Sequence, residues 1–387
     1  MVLCFFSRLK QVYQKANISL FTQKERSKIR SHGMDLLRFL LAFWVLLAHM
    51  LPWFSYVNQN DNRVIFETFF VIQSALIKVF QKHGETHPAV LGFIFLSGYC
   101  IHRNGFRFGL SSSFKKFFVR RAFRILPIYW LGILTGVFLF FKSFAQSPLK
   151  AEALLGTASI EALPVLVKFF GLSSFIPALF KVSFQGNGVL TTVMVEIWLY
   201  IAYGLVYFLC LNKIPLKKTA VIFGMIWGLS FLLALMHPAY RGWWHNGSFA
   251  SFSLYWWMGA YFVEFKEKKN FFVKKFIILA LLCVALSPFI KLFIFSEIKK
   301  ISIAYLFGLL VLKMESMKRD ISPTLGSLGH ISYSLYALHA PIIVYCFLAG
   351  INFISTFLIL FVIVFLVYTF FESPLMNFGK KKGLKSE

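Results

Sequence analysis

Arg38 and His49 stand eleven residues apart inside the first long apolar run of the chain. At 100° per residue that spacing closes to within roughly 20° of one helix face, about 16 Å apart along the axis. One membrane helix, Asp35 to Pro52, would thus carry a cation near one end and an imidazole toward the other, on the same side. Ionisable groups at membrane depth are costly and mark reaction or transport paths. Downstream, Lys115-Lys116 leads into Arg120, Arg121 and Arg124, and the last two, three residues apart, fall on one face. Guanidinium pairs suit phosphate because they offer forked donors that stay charged. Glu196 with Tyr200 four residues on, and His339 with Ser332 and Tyr336 on neighbouring turns, complete the polar set.

The elements that must position these groups are membrane helices. The 387 residues are 58% hydrophobic and 14% charged, with a mean hydropathy of +0.70, against about 25% charged in an ordinary soluble domain. We expect an all-α polytopic protein with about ten transmembrane helices and both termini cytoplasmic. The spans read as 36–54, 89–101, 125–143, 189–211, 219–236, 249–264, 276–295, 301–312, 330–349 and 354–371. Two further apolar stretches, 64–80 and 162–180, carry internal charge or proline and read as interfacial helices in outer loops. With this assignment 29 of the 41 basic residues fall in the cytoplasmic segments 1–35, 102–124, 212–218, 265–275, 313–320 and 372–387. Promoting only one of the doubtful stretches would invert every later segment and destroy that asymmetry.

Three segments follow: a basic cytoplasmic segment 1–34, a transmembrane domain 35–374 and a basic cytoplasmic tail 375–387. Met1 to Phe6 is too short for the apolar core of a cleavable signal and has no positive flank before it. The net charge of +26 lies between apolar runs, which leaves no soluble domain for a nucleic-acid surface. The five cysteines are scattered, without disulfide framework or metal spacing.

This topology puts Arg38 near the cytoplasmic face, beside Arg121 and Arg124, where the alternative to an anion site is snorkelling. It puts His49 and Glu196 in the outer half, where a carboxylate could fix the imidazole tautomer, as in acyl-transfer sites, or be satisfied by another helix. His339 lies near mid-membrane, as a substrate contact or as a structural histidine. Trp243 and Trp244 in an outer loop could stack on a sugar or form an interfacial aromatic belt. Ser97-Gly98-Tyr99 reads as a close-packing site.

The chain resembles the acyltransferase-3 family of membrane O-acyltransferases, which modify surface polysaccharides, lipopolysaccharide and related glycolipids. Asp35-Leu-Leu-Arg38 with His49 resembles the family's first-helix signature, and Phe95-Leu-Ser97-Gly98-Tyr99 its second-helix motif. Arg121-x-x-Arg124 with Pro127 and Tyr129 is similar to its basic inner-loop motif. Glu196-x-x-x-Tyr200, Ile331-Ser-Tyr-Ser-Leu-Tyr336-x-x-His339 and Phe371-Glu372-Ser-Pro374 resemble its later ones. The tryptophan often found five residues before the glutamate is Thr191 here.

The resemblance implies transfer of an acyl group, most simply acetyl, from cytoplasmic acyl-CoA to a hydroxyl of a glycan or glycolipid outside a bacterial inner membrane. Acetyl-CoA would be a co-substrate, with no cofactor bound; membrane lipids are the other partners, and nucleic acid is not. Arg38, Arg121 and Arg124 would hold the CoA phosphates. His49, oriented by Glu196, would act as general base or as an acyl-histidine, and Tyr200, His339, Trp243 and Trp244 would contact substrate. Rival readings are a transporter or flippase for a glycan or lipid precursor, for which intramembrane Arg, His and Glu would also serve, and an export scaffold. Many transporters show a two-half repeat with broken helices, and none is visible in the sequence.

Overall fold

The computed structural model describes residues 32–54, 63–80, 85–108, 114–155, 161–180, 185–206, 216–265, 273–290, 292–316 and 326–384. Residues 1–31, which hold most of the expected basic N-terminal segment, lie outside that set. Among the described residues the chain is helical throughout, with no strand. In chain order the helices are α1 (His32–Phe54), α2 (Arg63–Phe80), α3 (Pro88–Phe108), α4 (Phe114–Gln146) and α5 (Pro148–Leu155). There follow α6 (Ala162–Phe170), α7 (Pro177–Phe180), α8 (Leu190–Val206), α9 (Leu216–Met236), α10 (Arg241–Asn246) and α11 (Phe249–Phe265). The chain closes with α12 (Val273–Leu286), α13 (Phe293–Ser316), α14 (Ser332–Leu348), α15 (Phe353–Val367) and α16 (Ser373–Leu384). Four helical stretches, His32–Phe54, Phe117–Gln146, Lys218–Met236 and Phe353–Gly379, are long and apolar enough to cross a membrane.

Several boundaries differ from the sequence expectation. The stretch 276–295 breaks after Leu286, because Pro288 can neither donate the next helical hydrogen bond nor clear the preceding turn. The expected short span 301–312 is the middle of α13, a 24-residue helix. Hydropathy misses its first turns because Lys299 and Lys300 sit there, yet both are buried against carboxylates, which removes the reason to leave the helix. The stretch 162–180 is cut by Gly171, whose φ of 65° caps α6, into pieces too short to cross. The expected tail from 375 starts as helix: α16 runs along α4, and the Phe378 ring meets Phe123 at 5.3 Å.

Backbone proximity sets the frame for the polar groups. α3 packs along α11, and a Cβ on Gly98 would lie 2.0 Å from the Trp256 carbonyl oxygen. The reciprocal contact is Gly259 against Phe95, so glycine on both helices lets the backbones touch. α14 lies between α1 and α4, and α1 also packs on α3. Two apolar cores result, one joining α3, α4, α8 and α11, the other α1, α14 and α15. The outward faces of α9, α12 and α15 expose Leu229, Ile278, Phe365 and similar side chains, as lipid contact requires.

Candidate active site

α1, α3, α4, α8 and the start of α14 surround a partly open cavity of about 70 Å³ lined by Arg38, Ser97, Arg121, Arg124, Glu196 and Tyr200. Arg38 Nη1 donates to Asp35 Oδ1 at 2.8 Å, one turn back on α1. Asp35 is held by Gly329, where a Cβ would stand 2.1 Å from the Asp35 carbonyl oxygen. A relay of hydroxyls builds the opposite wall. Trp256 Nε1 donates to Ser97 Oγ at 3.3 Å, Ser97 Oγ donates to the Tyr200 hydroxyl at 2.8 Å, and Tyr200 donates to Glu196. The Arg121 guanidinium lies 5.6 Å from the Tyr200 ring centre, a cation–π contact. Among the described residues, neither Arg121 nor Arg124 forms an ion pair with a carboxylate. A cavity that holds two such guanidiniums beside a paired third is built for an anion.

The C-terminal half of α1 meets a second group. The His49 and His339 ring centres are 5.3 Å apart, tilted by 48°. His339 is fully buried, and its Nδ1 faces the carbonyl oxygens of Leu335 at 3.1 Å and Tyr336 at 2.9 Å. Carbonyls only accept, so Nδ1 carries the proton and Nε2 the lone pair. That Nε2 has no hydrogen-bond partner. His49 keeps accessible surface although Met50 and Leu46 beside it are fully buried. The Tyr336 ring lies 5.9 Å from His339, and its hydroxyl is bonded to Thr192. Phe93 links the two groups, since it lines the arginine cavity and packs its ring 5.4 Å from Tyr336. His87, in the loop before α3, meets the Trp44 ring edge to face at 5.1 Å and accepts from the Ala89 N–H. Burial and then the neighbouring His49 push it down to about 3, so it is a neutral neighbour of the pair. Among the described residues no three such groups are arranged to hold a metal ion.

Arg38, Arg121 and Arg124 are thus brought together as expected; Tyr200, expected in the outer half with Glu196, joins them, and His49 meets His339, a pairing the sequence did not suggest. Glu196 joins the arginines and not the histidine: its partner is Tyr200, and no hydrogen bond connects it to His49. The reason is level along α8: Thr192, one turn earlier on nearly the same face and about 6 Å along the axis, is the residue that meets Tyr336.

Trp243 and Trp244 correct the sugar-stacking expectation. Both are buried, in an apolar cluster with Phe231, Ala234 and Ala250, and offer no free ring face. Trp244 Nε1 donates to Glu297 at 2.8 Å, and Tyr255 OH donates to the other oxygen at 2.9 Å. Lys300 pairs with Glu297 and approaches His245 Nδ1 at 3.3 Å, while Lys299 pairs with Glu85. Burial, with Lys300 next, pushes His245 down to about 3, so it is neutral. Each buried lysine in this cluster has a carboxylate, while Arg241, which also acts on His245, lies over the Phe293 ring.

Three contributors went unread in the sequence. Ser97 carries a hydroxyl into the cavity, while packing falls to its neighbour Gly98. Glu372 accepts from Ser334 in a π-helical turn, Tyr368–Glu372, and acts electrostatically on Arg124. π turns recur at functional sites, but one residue of extra winding leaves no clear sequence mark. Lys168 on α6 is buried and donates to Thr191 Oγ1 and the Gly188 carbonyl. With no acid beside it, burial lowers it to about 7.

A family model described as an acyltransferase domain matches residues 31–372. No curated protein and no solved structure matches the chain.

Proposed function

The chain belongs to the acyltransferase-3 family, and on that premise we propose that it transfers an acyl group, acetyl in the first instance, from cytoplasmic acyl-CoA to a hydroxyl of a cell-surface glycan or glycolipid. The site is a bacterial inner membrane crossed about ten times, with both termini inside; the placement of basic residues supports this orientation. One observation carries the donor assignment: Arg121 and Arg124, without carboxylate partners, line one cavity with Arg38. Coenzyme A is a polyphosphate on a long flexible arm that ends in the thioester. With its phosphates on the guanidiniums, the arm would run past Phe93 along α1. The roughly 16 Å from Arg38 to His49 is on the order of its reach.

His49 is the reaction centre in this reading. It keeps accessible surface on a wall of buried neighbours, so a thioester from one side and a hydroxyl from the other can both reach it. Glu196 serves the donor end: it fixes Tyr200, and Tyr200 presents its ring to Arg121. Cells that lack the protein test the proposal when complemented with wild type or with His49→Ala at equal membrane levels. Wild type is expected to restore surface-glycan O-acetylation, and His49→Ala to lose about 10²- to 10⁴-fold of it. Equal restoration by both would remove His49 from the chemistry. A change in glycan export without any change in acetylation would favour a transporter.

A further inference from the structure

The histidine pair carries more than the one-histidine scheme asks for. A single general base needs one imidazole, and here a second ring stands 5.3 Å away with its own lone pair unused. The two rings are not equivalent. His339 cannot donate from Nε2, because its proton is committed at Nδ1 to the Leu335 and Tyr336 carbonyls. It can only accept, and a buried acceptor left empty is destabilising unless something fills it. His49 has no hydrogen-bond partner among the described residues and keeps the accessible surface. One ring is therefore a fixed acceptor and the other a free nucleophile.

We propose that His339 Nε2 is the base that receives the proton of the acceptor hydroxyl, while His49 carries the acyl group as an acyl-imidazole. The proposal rests on the acyl-CoA reading above. In the first half-reaction an unprotonated ring nitrogen of His49 adds to the thioester carbonyl. The C–S bond breaks, and sulfur leaves with the electron pair. It takes up the proton that His49 loses from its other nitrogen, which gives the free thiol. In the second half-reaction the hydroxyl oxygen adds to the acyl carbonyl as its proton passes to His339 Nε2. The C–N bond breaks, and the departing imidazole of His49 takes that proton back. Thioester and alcohol have become thiol and ester, with both histidines restored.

The test uses the full chain in lipid nanodiscs, radiolabelled acetyl-CoA as donor and water as the simplest hydroxyl, with hydroxylamine as a nucleophile that needs no base. His339→Asn keeps a donor for the two carbonyls and removes the lone pair of Nε2. It should release a first equivalent of CoA and hold label on the protein as wild type does. Its later turnover should fall about 10²- to 10⁴-fold, and hydroxylamine should restore it. His49→Asn should show no first equivalent, with or without hydroxylamine. A His339→Asn protein that turns over like wild type overturns the proposal, as does one that melts like wild type but has lost the first equivalent. If the Asn variant does not fold, wild type still decides: D₂O should slow loss of label to water more than loss to hydroxylamine, and equal slowing overturns the assignment. Wild type that releases no CoA from acetyl-CoA overturns the donor reading itself, a failure distinct from one confined to His339→Asn.

Discussion

Two regions bury charge in this protein and resolve it in opposite ways. In the cluster around Glu297, Lys299 faces Glu85 and Lys300 faces Glu297, with Trp244 and Tyr255 donating to the two oxygens of Glu297. In the cavity, Arg38 has Asp35, but among the described residues Arg121 and Arg124 form no ion pair: Arg121 lies over the Tyr200 ring, and Glu372 acts on Arg124 only at a distance. Charge that is matched inside the protein holds helices together; charge left over and turned into a cavity waits for a ligand. Lys168 shows a third outcome. With only a hydroxyl and a carbonyl as partners, it gives up its proton near pH 7.

The difference is sharpest where one carboxylate is removed. Glu297→Gln leaves Lys300 buried without its partner, at a cost of about 3–5 kcal/mol. Thermal melting should fall steeply, while transfer per folded molecule stays near wild type. Loss of transfer at unchanged melting would break the division between the two regions. Arg121→Ala should do the reverse. It removes charge-assisted hydrogen bonds to a ligand, each worth about 1.5–3 kcal/mol. The KM for acetyl-CoA should rise about tenfold or more, with little change in melting.

Tyr200→Phe is a smaller perturbation in the same wall. It strands Glu196 and Ser97 without the hydroxyl that joins them, at about 1–3 kcal/mol, and loosens the ring under Arg121. A modest fall in both melting and acyl-CoA affinity is expected, and an effect on neither would remove the relay from the site. The last effect concerns Lys168 and shows only as the pH is changed. Its folded value lies near 7, below the ordinary 10.5, so between those values the unfolded chain binds more protons. Stability should rise as pH climbs through that window, and Lys168→Met should flatten the rise.

The sequence made the cavity more readable than the cluster around Glu297. Arg38, Arg121 and Arg124 were legible because helical spacing fixes which side chains share a face, and two such faces, of α1 and α4, converge. Pairing between helices is not encoded by spacing. Glu196 was expected at the depth of His49, but it lies one turn further along α8 with Tyr200, and Thr192, on nearly the same face, is the residue that meets Tyr336. Trp243 and Trp244 look like a loop platform by composition, and only packing shows them buried beside Glu297. Hydropathy cut α13 short because it charges Lys299 and Lys300 as exposed ions, when each has a carboxylate in contact.

The claim that the arginine cavity holds the phosphates of coenzyme A is tested most directly by changing the donor and the protein together. Acetyl-pantetheine keeps the thioester and the arm but lacks the nucleotide phosphates. Measured with purified protein, Arg121→Ala should lower kcat/KM for acetyl-CoA about tenfold or more and leave acetyl-pantetheine nearly unchanged. An equal loss on both donors would contradict a phosphate contact and return Arg121 to a structural role.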